Sequence, residues 1–415
     1  MVEIIAPLSR KFTSVLEYSR NPLYRNSLYI MLGRLSDVGF GFLFWTVAAR
    51  LYSVADVGIA TALISSLLLI VAFSRFGFDT ALIRFLPTQD HCRVFNTCLW
   101  ITIGATIVVT LCYLFAIDVI APEIAFIREY AVIFLILAIV SSVIDTTGYA
   151  LLCLRKGNFK LLLNLLTGLR LPLLLPFVFL GSLGIFFSLG LANLIAAVSA
   201  LVLIRRFIPL ALRIDRDFIR TTFQFSSLNY LANLLNSLPA LVMPILIVNL
   251  LSPENAALYY IAFAIGSLVL IVPEAMSTSF FIEGSHGINL RKGTLMTLSV
   301  TYAVLIPAVL FIVLFGDLLL NLFGPEYTTA INLLRLIAIS SLFVTIFNLF
   351  IPLQNIRLQV RGIVVINFLR FVLYFGLSYF LLQSVGVIGA GIAWLITHMI
   401  LSGGILVYVK MKGWV

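Results

Sequence analysis

Long apolar runs recur along the chain from about Ser27 to Tyr408, and they constrain the fold more than any other feature. Most are close to the roughly 20 residues that a helix needs to cross the hydrocarbon core of a bilayer. A spanning segment must satisfy its own backbone polar groups, which leaves helices or a closed barrel. The runs show no alternation of apolar and polar residues, which excludes the barrel. We therefore predict an all-α membrane protein.

The composition agrees with a bilayer as the solvent. Hydrophobic residues make up 62% of the chain and charged residues 11%, whereas about a quarter of the residues in soluble domains are charged. The second and eighth predicted spans are long enough to tilt or bend, and Pro273 favours a kink in the eighth. The twelve predicted spans are 27–51, 57–84, 95–117, 130–153, 161–181, 184–205, 222–250, 256–282, 295–316, 329–353, 362–382 and 387–409.

Basic residues lie mostly on one side of this topology. That side collects most of the 27 Lys and Arg residues, whereas the other carries only Arg50 and Arg128 among several acidic residues. The positive-inside rule then places both termini in the cytoplasm of a multi-pass protein of the cell membrane. The net charge of +10 is thus a topology signal and a contact for anionic membrane lipids, and it does not indicate nucleic acid.

The chain resembles itself at a spacing of about 200 residues. Leu-Tyr-Ser at 51–53 matches Leu-Leu-Ser at 250–252, and Pro-Glu at 122–123 matches Pro-Glu at 325–326. Six spans per half is an even number, which makes the halves parallel repeats. The predicted organisation is a basic cytoplasmic segment at 1–26, a six-helix lobe at 27–206, a cytoplasmic linker at 207–221 and a second six-helix lobe at 222–415.

Ionisable residues inside the spans are costly in lipid and are functional candidates by default. Asp37 lies near the middle of the first span, with Arg34 one turn before it, and Asp145 and Glu274 lie in the cytoplasmic halves of their spans. Arg34 and Asp37 share a helix face, and their depth favours a cavity-facing role. The three carboxylates are candidates for coupling to H⁺ or Na⁺.

Two arginines occupy comparable positions in the two halves. Arg170 in the fifth span and Arg370 in the eleventh both lie near mid-depth. Unpaired arginines are expensive at that depth. They either bind an anion or pair between helices with Asp37, Asp145 or Glu274, and the sequence leaves both interpretations open.

Other polar residues in the spans have structural alternatives. Arg75 and Asp79 are four residues apart and can pair on one helix face. His398 is either a satisfied polar contact or a proton or substrate group. Three amides share one stripe of the seventh span and suit either helix–helix contacts or a hydrated cavity. These amides are Asn229, Asn233 and Asn236.

Three stretches carry a family resemblance. FWTVAARLYSVADVGIATAL (Phe44–Leu63), SRFGFDTALIRFLP (Ser74–Pro87) and GVIGAGIAWLI (Gly386–Ile396) resemble the polysaccharide-exporter branch of the multidrug/oligosaccharidyl-lipid/polysaccharide (MOP) flippase superfamily, the Wzx-type and archaeal oligosaccharide flippases. The resemblance implies a MATE-like fold, in which two lobes form a V around a central cavity and alternate between inward and outward openings.

The same resemblance implies a substrate class, a saccharide linked to polyprenyl or dolichyl phosphate. Its sugar head would cross through the polar cavity while its lipid tail stays in the bilayer. Mid-membrane arginines suit a diphosphate. The predicted substrate-binding residues are Arg34, Arg170, Arg370, Asn229, Asn233 and Asn236, and the predicted ion-coupling residues are Asp37, Asp145 and Glu274.

Competing functions remain at this point. One alternative is a cation-coupled small-molecule exporter of the multidrug type, with Asp37 as the ion-binding carboxylate. A polyprenyl-dependent glycosyltransferase or polymerase is disfavoured because the outward loops are short. No GxxxxGK[ST] loop is present, which argues against direct use of ATP. We expect a transporter that acts as a monomer, is not an enzyme and needs no cofactor or metal.

Overall fold

The computed structural model describes residues 22–285, 289–357 and 359–414. Nearly all of the predicted basic segment 1–26 lies outside these residues. The regular structure within the described ranges is entirely helical. The elements of the first half are α1 (Pro22–Leu51), α2 (Val54–Ser74), α3 (Phe78–Phe85), α4 (His91–Ile120), a 3-10 helix (Pro122–Tyr130), α5 (Ala131–Cys153), α6 (Gly157–Thr167), α7 (Arg170–Leu173), a 3-10 helix (Val178–Leu180) and α8 (Ser182–Ile204).

The second half repeats this order with fewer interruptions. Its elements are α9 (Arg216–Leu250), α10 (Pro253–Leu268), α11 (Ile271–Ser285), α12 (Leu290–Asn321), a 3-10 helix (Pro325–Ala330), α13 (Ile331–Ile356), α14 (Val360–Val385) and α15 (Ile388–Met411).

Most of the predicted spans coincide with long apolar helices. In the described part of the chain, ten helical segments are long and apolar enough to cross a bilayer, and α10 with α11 makes an eleventh where this pair, bent by 46°, is counted as one span. The predicted fifth span, 161–181, falls on α6, α7 and a 3-10 helix, each too short to cross alone. The two-lobed helical membrane fold is thereby confirmed.

Helix breakers explain the interruptions. Pro172 and Pro176 lack the amide hydrogens that would continue the fifth span. Pro273 likewise cannot donate to the carbonyl of Val269, and the bend between α10 and α11 falls there. The predicted second span, 57–84, is divided into two helices, and its length had allowed for a bend. Helix α2 ends at Ser74, and positive φ angles at Phe76 and Gly77 turn the chain into α3.

The matching landmarks of the two halves have matching structural roles. Ser53 and Ser252 are the N-caps of α2 and α10, and each hydroxyl accepts a hydrogen bond from the backbone amide three residues later. Both Pro-Glu pairs open a 3-10 helix, at Pro122 and at Pro325. The internal repeat seen in the sequence is therefore also a repeat of local structure.

Helix α2 is central to the contact between the lobes. It packs against α9 and α10 of the second lobe as well as against α4, α5 and α8 of its own. Most of its residues are buried. A Cβ atom at Gly58 would overlap the carbonyl of Pro253. Only glycine allows α2 and α10 to approach so closely at this point.

The segment between the lobes is attached to the first lobe. The Asn96 side chain donates to the carbonyl of Pro209 at 2.9 Å and accepts from the amide of Ala211 at 3.0 Å. Arg93 and Asp215 form an ion pair at 2.8 Å. Helix α9 begins at Arg216, so the last part of the predicted linker 207–221 is already helical.

Candidate substrate cavity

The two ends of the helix bundle differ in how the lobes meet. We call the end with residues 52–53, 251–252 and 322–324 the short-loop face, and the end with residues 205–215 the linker face. At the short-loop face, Arg50 donates to the carbonyl of Leu322 at 3.0 Å and to that of Asn321. Asn249 donates to the carbonyl of Ile120 at 2.8 Å. These bonds connect the lobes across their boundary.

Aromatic contacts reinforce this closure. Phe42 meets Phe323 edge-on, with the ring centroids 5.3 Å apart. Trp45 lies against Tyr260 at 4.6 Å. Phe42, Trp45 and Arg50 all belong to the last third of α1, which therefore holds the two lobes together at the short-loop face.

A cavity of about 560 Å³ lies between the lobes in the half nearer the linker face. Its walls come from the first half of α1, from α9, from α11 and from the end of α13. Its lining residues are Arg34, Asn236, Ile271, Glu274, Ala275, Ser277, Thr278, Phe281, Asn348, Ile351, Pro352 and Asn355.

The cavity has opposite charges on opposite lobes and uncharged polar groups between them. Arg34 belongs to the first lobe and Glu274 to the second, and the two charges attract each other. The amides and hydroxyls can donate and accept hydrogen bonds. The Ser277 hydroxyl is buried with no hydrogen-bond partner in the described residues, which leaves it free for a bound molecule. The cavity thus suits a polar, hydroxyl-rich ligand.

Arg170 and Asp37 form an ion pair beside this cavity. Nη2 of Arg170 lies 3.8 Å from Oδ1 of Asp37. The guanidinium also lies 5.4 Å from the ring of Phe44. Arg170 is largely buried, whereas 60% of the Asp37 side chain is exposed. Since Asp37 lies one turn from Arg34 on α1, a ligand at Arg34 would be close to this pair.

Arg370 is placed differently. It is buried and donates at 2.8 Å to both the carbonyl and the side-chain oxygen of Asn236. Its guanidinium stacks over Phe347 at 4.7 Å. Its partner is thus an amide on α9 and not one of the carboxylates considered from the sequence. Arg370 reaches the cavity only through Asn236.

Asp145 lies inside the first lobe. It forms an ion pair with Arg75, beside Asp79 and Tyr149, around a very small gap of about 10 Å³. The prediction that Arg75 can pair with Asp79 on its own helix face is therefore corrected, because the chain turns at Phe76 and brings Arg75 to α5. The structure does not bring Asp145 to the cavity between the lobes.

The asparagine stripe of α9 is divided. Asn236 lines the cavity, whereas Asn229 and Asn233 lie outside its lining. Sequence reasoning missed Asn348 and Asn355, which share a face of α13 because seven residues make two helical turns. The same amide-stripe signal would have found them. His398 is buried, with Nδ1 2.9 Å from the carbonyl of Trp394.

The described residues contain no group of three or more His, Cys, Asp or Glu side chains that could hold a metal ion. The fold and the cavity are those of a multi-pass helical membrane protein with a polar cavity between two lobes. The family model of the polysaccharide biosynthesis proteins matches residues 23–281. The chain belongs to this family.

Solved structures share the fold at low sequence identity. An inward-facing multidrug-resistance MATE family transporter of the MOP superfamily matches with a TM-score of 0.75 and 16% identity, over 92% of this chain and 94% of that one. An outward-facing MATE transporter matches with a TM-score of 0.64 and 17% identity, over 94% and 95%. No curated protein sequence matches the chain.

A third similar structure is a MOP superfamily transporter from Pyrococcus furiosus, described as having a binding pocket of reverse polarity that suggests a different function. It matches with a TM-score of 0.65 and 17% identity, over 94% of this chain and 95% of that one.

Proposed function

We propose that the protein carries a lipid-linked oligosaccharide from the cytoplasmic to the outer leaflet by alternating access. The observation that carries this proposal is the cavity between the lobes, which combines one arginine and one glutamate with uncharged amides and hydroxyls. Amides and hydroxyls are the groups that hydrogen-bond to sugars. A guanidinium suits the phosphate that joins sugar to lipid. The family match to polysaccharide biosynthesis proteins supports the same substrate class.

The lipid tail of the proposed substrate has a separate candidate site. An apolar groove of about 380 Å³ lies where α1 meets α10, α11 and α12, and Phe42, Leu268, Val272 and Phe311 are among its lining residues. Phe42 is eight residues from Arg34, which is about 12 Å along α1. A substrate with its phosphate at Arg34 would therefore have its tail within reach of this groove.

The placement of basic residues supports a cytoplasmic assignment of the linker face. The linker face carries Arg205, Arg206 and Arg213, and the positive-inside rule assigns it to the cytoplasm together with both termini. The cavity would then be in its inward-facing state. Both lobes belong to one chain, so a monomer contains the whole proposed pathway.

Cavity-filling variants test the proposal. We expect Thr278→Leu and Asn355→Leu to abolish surface glycan in a complementation assay, because each replaces a polar cavity group with an apolar one. Ser299→Leu is the matched control. Like Thr278, Ser299 is exposed and its hydroxyl bonds only the carbonyl four residues earlier in its own helix, but Ser299 lies outside the cavity. Full glycan export by both cavity variants at normal protein levels would contradict the proposal.

A second function is favoured by one observation. Glu274 and Asp37 place carboxylates at or beside the cavity, and such groups suit a cation-coupled exporter of small molecules. Deletion of the gene distinguishes the flippase from the exporter. Loss of surface glycan with unchanged drug sensitivity supports the flippase, and the reverse supports the exporter. Coupling to H⁺ or Na⁺ through Asp37 or Glu274 is compatible with either.

A further inference from the structure

A second apolar groove lies on the outer surface of the second lobe, away from the cavity between the lobes. It is bounded by α13, α14 and α15 and has a volume of about 650 Å³. Val365, Leu369 and Leu373 line it from α14, at a spacing of one helical turn. Ile400 and Gly404 line it from α15. The proposed transport pathway uses none of these residues.

The end of this groove nearest the linker face is polar and cationic. Arg361 lines it there, at the start of α14. Gln354 also lines it, and its side-chain oxygen is buried with no hydrogen-bond partner in the described residues. Lys410 and Lys412 end α15 on the same side. The groove thus has a cationic entrance, an unpartnered acceptor and an apolar floor.

These features match the parts of an anionic phospholipid. A guanidinium pairs with a phosphate through charge-assisted hydrogen bonds. The free oxygen of Gln354 can accept from a headgroup hydroxyl. From Arg361 to Leu373 the groove runs about 18 Å along α14, close to the roughly 15 Å hydrocarbon depth of one leaflet. The length therefore fits one acyl chain whose headgroup stays at the linker-face surface.

We propose that the groove between α13, α14 and α15 binds an anionic phospholipid of the leaflet at the linker face. Its phosphate lies at Arg361, and an acyl chain lies along Val365, Leu369 and Leu373. The site is distinct from the substrate cavity and does not depend on the proposed transport function.

Two pairs of variants test the two halves of the site. Arg361→Gln removes the cation, and Arg291→Gln is its control, an exposed arginine at the start of α12 outside the groove. Gly404→Leu fills the groove, and Gly403→Leu is its control. A Cβ atom at either glycine meets nothing within 4 Å, but only Gly404 lines the groove.

The measurement is lipid retention by the purified full-length chain, by native mass spectrometry after exchange into mixed phosphatidylglycerol and phosphatidylcholine. We expect wild type and both controls to retain phosphatidylglycerol roughly tenfold over phosphatidylcholine. Arg361→Gln should lose this preference, and Gly404→Leu should lose retention of both lipids. Equal retention of the two lipids by the wild type would overturn the proposal. An unchanged preference for phosphatidylglycerol in Arg361→Gln would also overturn it. Displacement of phosphatidylglycerol by equimolar polyprenyl phosphate would also overturn it, because the groove would then serve the isoprenoid lipid.

Discussion

The fifth and eleventh predicted spans occupy equivalent places in the order of the two halves, and each carries an arginine, yet they differ in structure. The eleventh is one continuous helix, α14, and it buries Arg370 against Asn236. The fifth is broken into α6, α7 and a 3-10 helix, and it leaves Arg170 paired with the exposed Asp37. The continuous helix buries Arg370 in the packed interior of the lobe, whereas the broken segment leaves Arg170 beside the cavity.

The difference comes from a few residues. The segment around Arg170 contains Gly168, Pro172 and Pro176, and the segment around Arg370 has no proline. A duplicated chain keeps the helix order and the caps, but a proline in one copy changes what the matching side chain can contact. Four variants test this contrast and a fifth tests the segment that joins the lobes, in order of their expected effect on the free energy of unfolding.

Arg370→Ala should have the largest effect on stability. It removes two charge-assisted hydrogen bonds and leaves the Asn236 carbonyl without its partner, at a cost of about 3 kcal/mol. Thermal unfolding in detergent measures the loss. An unchanged melting temperature would show that Arg370 is not a packing element.

Substituting alanine for a glycine should change the free energy of unfolding in opposite directions in the two spans. A Cβ atom at Gly168 would lie 2.8 Å from the ring of Phe40 on α1, whereas one at Gly376 meets nothing within 4 Å. We expect Gly168→Ala to destabilise the protein by about 1–2 kcal/mol through overpacking. Gly376→Ala should stabilise α14 by up to about 1 kcal/mol. Equal shifts in the two melting temperatures would contradict the contrast.

Arg170→Ala should change stability by less than about 1 kcal/mol, because its partner Asp37 is mostly exposed and such pairs contribute little. Its effect should appear in transport, as reduced surface glycan at normal protein level. The combination of unchanged melting temperature and reduced export separates it from Arg370→Ala. If both variants lose the same stability, the two arginines have the same role.

The smallest effect concerns the segment that joins the lobes. The backbone amide of Phe218, and then the Arg93 side chain, lower the pKa of Asp215. A carboxylate with a lowered pKa stabilises the fold at neutral pH, and this contribution is lost as the pH falls below its usual value of about 3.9. Asp215→Asn should therefore flatten the acid side of the stability profile. Melting temperatures from neutral to acidic pH compare the two proteins, and superimposable profiles would contradict the assignment.

The sequence predicts some parts of this molecule well for physical reasons. Apolar length and basic loops determine where the chain crosses the membrane. The repeated motifs at 51–53 and 250–252 indicate equivalent places in the two halves, and both turn out to be helix caps, at Ser53 and Ser252. These signals are local, and the structure retains them in both halves.

Partners across helices are harder to predict. Many spans are apolar on every side, so their sequences do not indicate which face turns inward. For this reason the Arg75–Asp145 pair and the Arg370–Asn236 contact did not follow from helical spacing. The turn at Phe76 and Gly77 redirects Arg75, and its positive φ at a phenylalanine has no clear sequence signal. Asn348 and Asn355 were visible as a stripe, but nothing local indicated that the stripe faces the other lobe.

The bend between α10 and α11 separates two tasks within one span. Helix α10 contains Tyr260, which contacts Trp45 at the short-loop face. Helix α11 contributes Glu274, Ser277 and Thr278 to the lining of the cavity. Because Pro273 cannot donate to the carbonyl of Val269, the junction lacks a backbone hydrogen bond that a continuous helix would have. The angle between α10 and α11 is therefore held by one backbone hydrogen bond fewer than in a continuous helix.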